Sequence, residues 1–251
     1  VTARARNETI PIMTKCWTSL GNYRANISAG DNIIIFTKVQ QGNNPVVGAK
    51  VTAYLEREDK LEPIEVNLLD SGSDPDTIAN DGIYARYFTN FDLHNSLTRY
   101  SLKCQVEGTS DSKINQGFID KKKVPDGKSL PNRPTADNPI CCGSNTIRED
   151  SVLTPTGTFK RSSAGGSIEI EKANQVNYPP GKVSDLRGAN NVSDRLFTLS
   201  YTATGMILDT GIAKEVNIYY SKNGTDLTAF DEIAGTLPSL TASDVVNSGT
   251  L

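Results

Sequence analysis

The chain has 251 residues, a formal net charge of −3 at pH 7 and a hydrophobic fraction of 37%. This length accommodates one large domain or two ordinary ones, and the hydrophobic fraction is too high for a disordered chain. The small negative charge and the scattered lysines and arginines argue against a nucleic-acid-binding face. No apolar run approaches the ~20 residues that a membrane-spanning helix requires.

The first half of the chain is rich in strand signals. Six segments are β-branched or alternate polar with apolar residues, and turn formers separate them. Short strands at this spacing predict an all-β fold, a β-sandwich of the immunoglobulin or fibronectin type over residues 9–108. The predicted strands are residues 10–17, 31–39, 49–56, 64–68, 83–88 and 100–106.

Residues 109–175 change character, because prolines are scattered there among Asp, Asn, Ser and Gly. We expect a long irregular linker, or a wrap over the first domain, with little regular structure.

Residues 176–251 resemble a fibronectin type III module that opens on the sequence Pro179-Pro180-Gly181. Such a module needs about seven strands. We therefore expect an incomplete second sandwich with an open sheet edge. The elements expected in it are an opening strand at 178–186, strands at 195–203 and 215–221, and a helix candidate at 239–247.

The densest chemical signal lies between the fourth and fifth predicted strands. Residues 70–82 hold four aspartates, one asparagine, two glycines and one proline, a composition that excludes helix and strand. Carboxylate and amide oxygens are ligands that calcium prefers, so the loop is a candidate structural calcium site. The spacing is not that of an EF-hand, and capping of backbone N–H groups is the alternative role. The candidate ligands are Asp70, Asp74, Asp76, Asn80 and Asp81.

The cysteines fit no common zinc spacing. They are Cys16, Cys104, Cys141 and Cys142. Cys16 can pair with Cys104, or each can pair with one member of the adjacent Cys141–Cys142 pair, and the sequence leaves these connectivities open.

Four Asn-x-Ser/Thr sequons lie in segments predicted as loop or strand edge. Together with the even number of cysteines, they favour a secreted or cell-surface glycoprotein. The acceptor asparagines are Asn7, Asn26, Asn191 and Asn223.

No motif for catalysis is present in the sequence. The single histidine, His94, lies in a turn-like stretch, and no His-Glu-x-x-His, nucleophile elbow or phosphate-binding loop occurs. We therefore expect a non-enzymatic protein.

Several motifs together resemble the C-terminal half of the calcium-activated chloride channel regulator family. Residues 45–53 are similar to the family's P-V-x-G-A-x-V-T-A run, and residues 68–89 to its L-L-D-N-G…D-G-V-Y-S-R-Y-F-T segment. Residues 159–167 are similar to its F-S-R-T-S-S-G-G-S stretch, and residues 178–181 to the start of its fibronectin-like module. The family pattern lacks cysteines at Cys16 and Cys104, so a disulfide there would be a local elaboration.

The resemblance implies an architecture of zinc metallohydrolase, von Willebrand A domain, β-rich domain and fibronectin-like module. This chain would hold the last two, and residues 1–8 would be the closing strand of an upstream domain. Family members are secreted or surface-attached, are cut by their own protease domain and modulate calcium-activated chloride conductance. Ser167 and Ile168 lie where that processing would fall, in a Gly-Gly-containing stretch whose alternative role is a flexible linker.

These observations together predict a non-enzymatic extracellular fragment that contacts other proteins or the rest of its parent chain. Its expected role is regulation of calcium-activated chloride conductance. The alternative is an adhesive, mucus or extracellular-matrix component that forms homo-oligomers through an open sheet edge. Calcium is the one expected cofactor.

Overall fold

The computed structural model describes residues 10–21, 24–57, 59, 62–91, 97–117, 152–171, 178–191, 196–213, 216–219 and 239–242. Within these residues the only helix is the 3-10 turn Ile27–Ala29, and no helix is long and apolar enough to cross a membrane. The strands are β1 (Ile12–Thr18), β2 (Arg24–Ala25), β3 (Ile34–Gln41), β4 (Asn44–Val47), β5 (Lys50–Glu56), β6 (Ile64–Leu68), β7 (Ile83–Tyr87), β8 (Leu97–Glu107), β9 (Lys113–Asn115), β10 (Leu153–Pro155), β11 (Lys160–Glu171), β12 (Arg187–Asn191), β13 (Leu196–Ser200), β14 (Val216–Tyr219) and β15 (Ser239–Ala242).

Strands β1 to β11 form two sheets. In the first sheet β1 pairs with β3, β3 also pairs with β7 and β4, and β4 continues through β9 to β10. The second sheet has the order β2-β11-β8-β5-β6. The ladders are antiparallel except that between β2 and β11. We call these two sheets together the two-sheet domain.

One apolar core lies between the two sheets. Along β8 every second side chain is buried, because successive residues of a strand point to opposite faces. The inward set on β8 includes Tyr100, Leu102 and Val106, and it belongs to the same cluster as Ile35 and Val39 of β3. Burial of each such side chain contributes roughly 1.5–3 kcal/mol.

All six strands predicted for the first half are confirmed. They correspond to β1, β3, β5, β6, β7 and β8, and their boundaries differ from the prediction by no more than three residues. The prediction missed β2, β4, β9 and β10, which have two to four residues each and are too short to show a period.

The expected irregular linker over residues 109–175 contains regular structure in its described parts, residues 109–117 and 152–171, while residues 118–151 and 172–175 lie outside the described residues. Strands β9, β10 and β11 all lie in that range, and eleven of the twelve residues of β11 pair with β8. Its side chains Ile168 and Ile170 are 2% and 1% exposed within the core. The two-sheet domain therefore continues past residue 108. The strand escaped prediction because only its end alternates, whereas its middle, residues 162–167, is Ser, Ala and Gly.

A β-bulge explains the Gly-Gly pair in β11. The register against β8 shifts between Ala164 and Gly166, so Gly165 is the extra residue. A Cβ at Gly165 would lie 2.5 Å from Leu102 Cδ2 and 2.7 Å from Cys16 Sγ. The missing side chain leaves room for the sulfur, so this glycine serves a disulfide rather than a flexible linker.

The structure contains the disulfide Cys16–Cys104, which joins β1 to β8 across a Cα–Cα distance of 5.9 Å. Both residues are buried in the core. Strand β1 is also tied to β11, because Arg161 Nε donates to Ile12 O at 3.1 Å and Cys16 N donates to Ser163 Oγ at 3.3 Å. Strand β11 therefore links the two sheets. Cys141 and Cys142 lie outside the described residues.

The expected second sandwich takes a different form within the described residues. Strand β12 pairs with β13 and β14 pairs with β15, as two separate two-stranded sheets. The expected opening strand at 178–186 contributes only a bridge between Pro180 and Leu208, since consecutive prolines remove two ladder donors. Residues 239–242 form a strand and not the start of a helix. Residues 1–8 lie outside the described part of the chain.

Substitution Gly165→Ala should lower stability. The new Cβ must displace Leu102 and the Cys16 sulfur, and overpacking of this kind costs about 1–3 kcal/mol. Urea unfolding measures the loss, and intact mass under non-reducing conditions reports whether the disulfide still forms.

Ser167→Ala is the matched control for that substitution, because Ser167 is exposed on the same strand. Its effect should stay within about 0.5 kcal/mol. Equal stability of the two variants would contradict the steric role of Gly165.

Candidate metal site at the acidic hairpin

The acidic loop is the connection between β6 and β7. Its base is closed by Leu69 and Ala85, whose backbones exchange hydrogen bonds of 3.2 and 2.9 Å. Just inside this base Gly82 O accepts from Val39 N at 2.8 Å, which ties the loop to β3. We call residues 69–85 the acidic hairpin.

Asp70 holds the second half of the hairpin through three backbone N–H groups. Its Oδ1 accepts from Asn80 N at 2.5 Å and from Asp81 N at 3.3 Å, and its Oδ2 accepts from Gly82 N at 3.0 Å. Asn80 has a left-handed backbone with φ of 62°, a conformation that asparagine adopts more readily than most residues. The turn therefore folds around the Asp70 carboxylate.

Asp76 organises the first half in the same way. Its Oδ2 accepts from Gly72 N at 2.7 Å and its Oδ1 from Ile78 N at 3.3 Å. Gly72 has φ of 72°, and a Cβ there would lie 2.7 Å from Ala79 N, so both conformation and space require glycine. Asp76 is only 4% exposed.

The two halves bring three carboxylates together. Asp70, Asp76 and Asp81 each offer an oxygen, and these three oxygens lie within 4.8 Å of one another. Asp81 also caps its own turn, because its Oδ1 accepts from Ile83 N at 2.8 Å. Among the described residues this acidic triad is the only such group of His, Cys, Asp or Glu.

The other two candidate ligands are placed differently. Asp74 lies outside the acidic triad, and both of its carboxylate oxygens are 3.1 Å from the hydroxyl of Tyr87. Asn80 is adjacent to the triad and donates its backbone N–H to Asp70. The structure thus brings together three of the five candidate ligands.

Burial makes the acidic triad costly to ionise completely. It raises the pKa of Asp70 to about 7, with a further contribution from the charge of Asp76 and opposition from the N–H groups of Gly82 and Asn80. It raises the pKa of Asp76 to about 6 against the hydrogen bonds from Gly72 and Ile78.

Asp81 has a pKa raised by burial too, although the Ile83 N–H and the charge of Lys38 oppose that shift. The three carboxylates therefore carry negative charge that the backbone N–H groups only partly balance. Protons or a cation would relieve it.

The chemistry of the acidic triad fits a hard cation. Each carboxylate has about four lone-pair sites, so the hydrogen bonds to backbone N–H groups leave acceptor capacity unused. Calcium takes six to eight oxygen ligands, and carboxylates are the commonest charged ones. Capping and metal binding are thus compatible roles of the same side chains.

Tyr84 is a structural residue of the site that sequence reasoning missed. Its hydroxyl donates to Val46 O and accepts from Ala49 N, both at 3.0 Å, and so anchors the start of β7 to the β4–β5 turn. Burial, followed by the charges of the three triad carboxylates, raises its pKa. The sequence feature that could have indicated this role is the Asp-Gly-x-Tyr spacing at residues 81–84.

The candidate processing residues lie in β11. Ser167 pairs with Ser101 of β8, and Ile168 is 2% exposed in the core. A protease binds its substrate as an open segment, whereas this one is part of a ladder. The structure therefore disfavours cleavage here in the folded chain.

Two sequon asparagines are within the described residues. Asn26 is exposed and caps the 3-10 turn, with its Oδ1 accepting from Ala29 N at 3.1 Å. Asn191 ends β12. Asn7, Asn223 and the single histidine His94 lie outside the described residues.

Fold and site define a class: a disulfide-tied, two-sheet β-domain with a buried acidic hairpin, followed by further short β-ladders. Comparison with known proteins gives the family. The chain is 33% identical over 240 residues to calcium-activated chloride channel regulator 3A-1 of Mus musculus. It is 31% identical over 235 residues to regulator 2 and 29% identical over 244 residues to regulator 4, both of Homo sapiens. The chain belongs to the calcium-activated chloride channel regulator family.

These alignments cover 89–92% of the chain but only 23–24% of each relative. The chain thus spans about a quarter of the length of the proteins it matches. No family model matches the chain, and no solved structure does.

Metal-free protein should become less stable as pH rises through the range in which the acidic triad ionises. The pKa of Asp70 is about 7 in the folded chain against 3.8 for a free aspartate, and that of Asp76 is about 6. Between pH 3.8 and about pH 7, the folded state therefore binds more protons than the unfolded state. The free energy of unfolding falls as pH increases across this interval. Each unit of pKa shift corresponds to about 1.4 kcal/mol.

Urea unfolding in chelator, from about pH 5 to about pH 8, measures this dependence. The Asp70→Asn variant removes the carboxyl with the largest shift and should show a smaller fall. A wild-type stability that is flat or rises over the same interval would refute the argument.

The Ser167–Ile168 bond should survive limited proteolysis of the folded chain. Cleavage requires β11 to leave both β8 and the core, and core strands open only with a free energy near that of global unfolding. Mass spectrometry after digestion with a broad-specificity protease identifies the cut sites. The same chain unfolded in denaturant should be cut there, and rapid cutting in native buffer would be the contrary result.

Proposed function

We propose that the chain is a non-enzymatic segment of a secreted or cell-surface regulator of calcium-activated chloride conductance, and that it acts through protein–protein contacts. The observation that carries the proposal is the similarity over about 90% of the chain to proteins named as regulators of calcium-activated chloride channels. The relatives are about four times longer, so their complete activity includes regions beyond this segment.

The internal chemistry supports an extracellular location. The buried disulfide between β1 and β8 is of the kind that persists in oxidising compartments and is rare in the cytosol. The exposed sequon at Asn26 is compatible with the same location.

A binding role rather than catalysis is supported by how the acidic triad is used. Its carboxylates accept hydrogen bonds from the backbone of their own turn. A general acid or base needs access to a substrate proton. These groups instead hold a loop in shape.

Calcium is the cofactor that we propose for the acidic triad, with a structural role. A bound ion would balance the charge of Asp70, Asp76 and Asp81 and rigidify the turns that these residues cap.

We propose further that residues 176–251 contribute to a fibronectin type III-like module. The support is the resemblance at residues 178–181 and the β12–β13 and β14–β15 ladders. Among the described residues these ladders have two strands each. The second candidate function is an adhesive or matrix component that assembles with copies of itself by pairing at a sheet edge.

Calcium should stabilise the chelator-treated chain. At roughly 100 times its dissociation constant, a ligand that binds only the folded state adds about 2.7 kcal/mol to the free energy of unfolding. The substitution Asp76→Asn should abolish most of this gain, because it removes a charge and an acceptor from the acidic triad. Urea unfolding with and without calcium measures the effect.

Asp74→Asn is the matched control. Asp74 belongs to the same hairpin but lies outside the acidic triad, so this variant should keep the calcium response of the wild type. No calcium-dependent stabilisation of the wild type, or equal loss in both variants, would exclude the proposed site.

Chloride current separates the two candidate functions. The purified chain, added to cells that express a calcium-activated chloride conductance, should change the current while size-exclusion chromatography shows a monomer. Concentration-dependent assembly without any effect on current would favour the adhesive or matrix role.

A further inference from the structure

The outer side of the acidic hairpin contacts residues far along the chain. Asp74 N donates to Ser184 Oγ at 3.1 Å, and the Ser184 hydroxyl donates to Gly72 O at 3.4 Å. Ser184 is thus bonded at once to two peptide groups of the turn at residues 71–76, which we call the hairpin turn. Residues 178–191 and 196–213, which include Ser184, are called the docking segment.

A second contact lies on β7, beside the hairpin. Asp209 lies against Arg86, with 3.4 Å between its Oδ2 and Arg86 Nε, while Arg86 Nη2 donates to the carbonyl of Asp209 at 2.9 Å. Tyr87 N donates to the same carboxylate at 3.3 Å. The Arg86 and Asp209 side chains are 20% and 13% exposed, so solvent screens the pair less than it would at the surface.

The docking segment is braced internally. Leu208 N donates to Pro179 O at 2.9 Å and Gly181 N donates to Leu208 O at 2.8 Å. Buried Asp185 accepts from Thr202 N and from its hydroxyl. These hydrogen bonds join the stretch that carries Ser184 to the stretch that carries Asp209, and such internal bonds lower the entropic cost of docking.

The hairpin turn is shared by the acidic triad and the docking contact. Gly72 N donates to the carboxylate of Asp76 at 2.7 Å, and Gly72 O accepts from Ser184. Asp76 N in turn donates to Ser73 O at 2.8 Å. Any rotation of the backbone at Gly72 therefore changes both its hydrogen bond to Asp76 inside the hairpin and its contact with Ser184 outside it.

We propose that the outer face of the acidic hairpin is the docking surface for the docking segment, and that the two are thermodynamically coupled. Ordering of the hairpin turn strengthens docking, and docking orders the turn by the same factor, as linkage requires. The coupling does not require a cation in the acidic triad, so a failure of calcium binding leaves it standing.

Hydrogen exchange of the intact chain tests this coupling in both directions. In the double variant Ser184→Ala/Asp209→Ala, the amides of Gly72 and Asp76, which donate within the hairpin turn, should exchange faster by about fivefold or more. In Asp76→Ala, the amides of Gly181 and Leu208 should exchange faster too. The control pair Ser101→Ala/Asp111→Ala removes the same groups from exposed positions on the two-sheet domain and should change neither region.

Exchange in β5, which carries none of the substitutions, monitors the fold and should stay unchanged in every variant. If the double variant loses protection there, the coupling is tested with the single Ser184→Ala variant instead, since that variant removes one hydroxyl and no charge. Faster exchange of the docking segment with an unchanged hairpin turn would overturn the coupling. Docking-segment amides that exchange in the wild type at the rate of an unstructured peptide would overturn docking itself.

Discussion

Strand β8 is the constraint on which the rest of the structure depends. It is paired along both edges, with β5 on one side and β11 on the other, and its inward face carries Tyr100, Leu102, Cys104 and Val106. Such a strand must receive its neighbours in one register, because a shift by one residue would turn the apolar set outward. The disulfide from Cys104 then fixes β1 over β8, and the bulge at Gly165 lets β11 pass beside the sulfur.

The acidic hairpin follows from that frame. Strand β7 is held on β3 and by the Tyr84 hydroxyl, and β6 is held on β5, so their connection must close over a short distance. The chain closes it by burying carboxylates that accept backbone N–H groups, since a turn of this length has many donors without strand partners. This arrangement buries several carboxylates within a small volume, where their negative charge is unfavourable. The pKa values of Asp70 and Asp76 are raised for that reason.

The sequence predicts the features that repeat, and it misses those that depend on a single spatial neighbour. Strands β3, β5 and β8 are predictable because alternation and β-branched residues extend over many positions. Strand β11 is not, because its Gly165 looks like a chain breaker until Cys16 is placed beside it. Composition likewise indicates a cation site but not its members, because only the fold turns Asp74 away from the acidic triad and towards Tyr87. The choice among disulfide pairings was open for the same reason.

The segment at residues 68–89, which carries the clearest family resemblance, also has a physical explanation. Asp70 caps the second half of the hairpin, and Gly82 needs both its φ of 77° and the absence of a Cβ, which would lie 2.8 Å from Val39 O. Tyr84 anchors β7, while Arg86 and Tyr87 receive the docking segment. Most of the motif therefore specifies how the hairpin closes and what it touches. Similarity in this segment is evidence for that shape, whereas the argument for a cation rests on Asp70, Asp76 and Asp81, whose charge exceeds what their backbone hydrogen bonds balance.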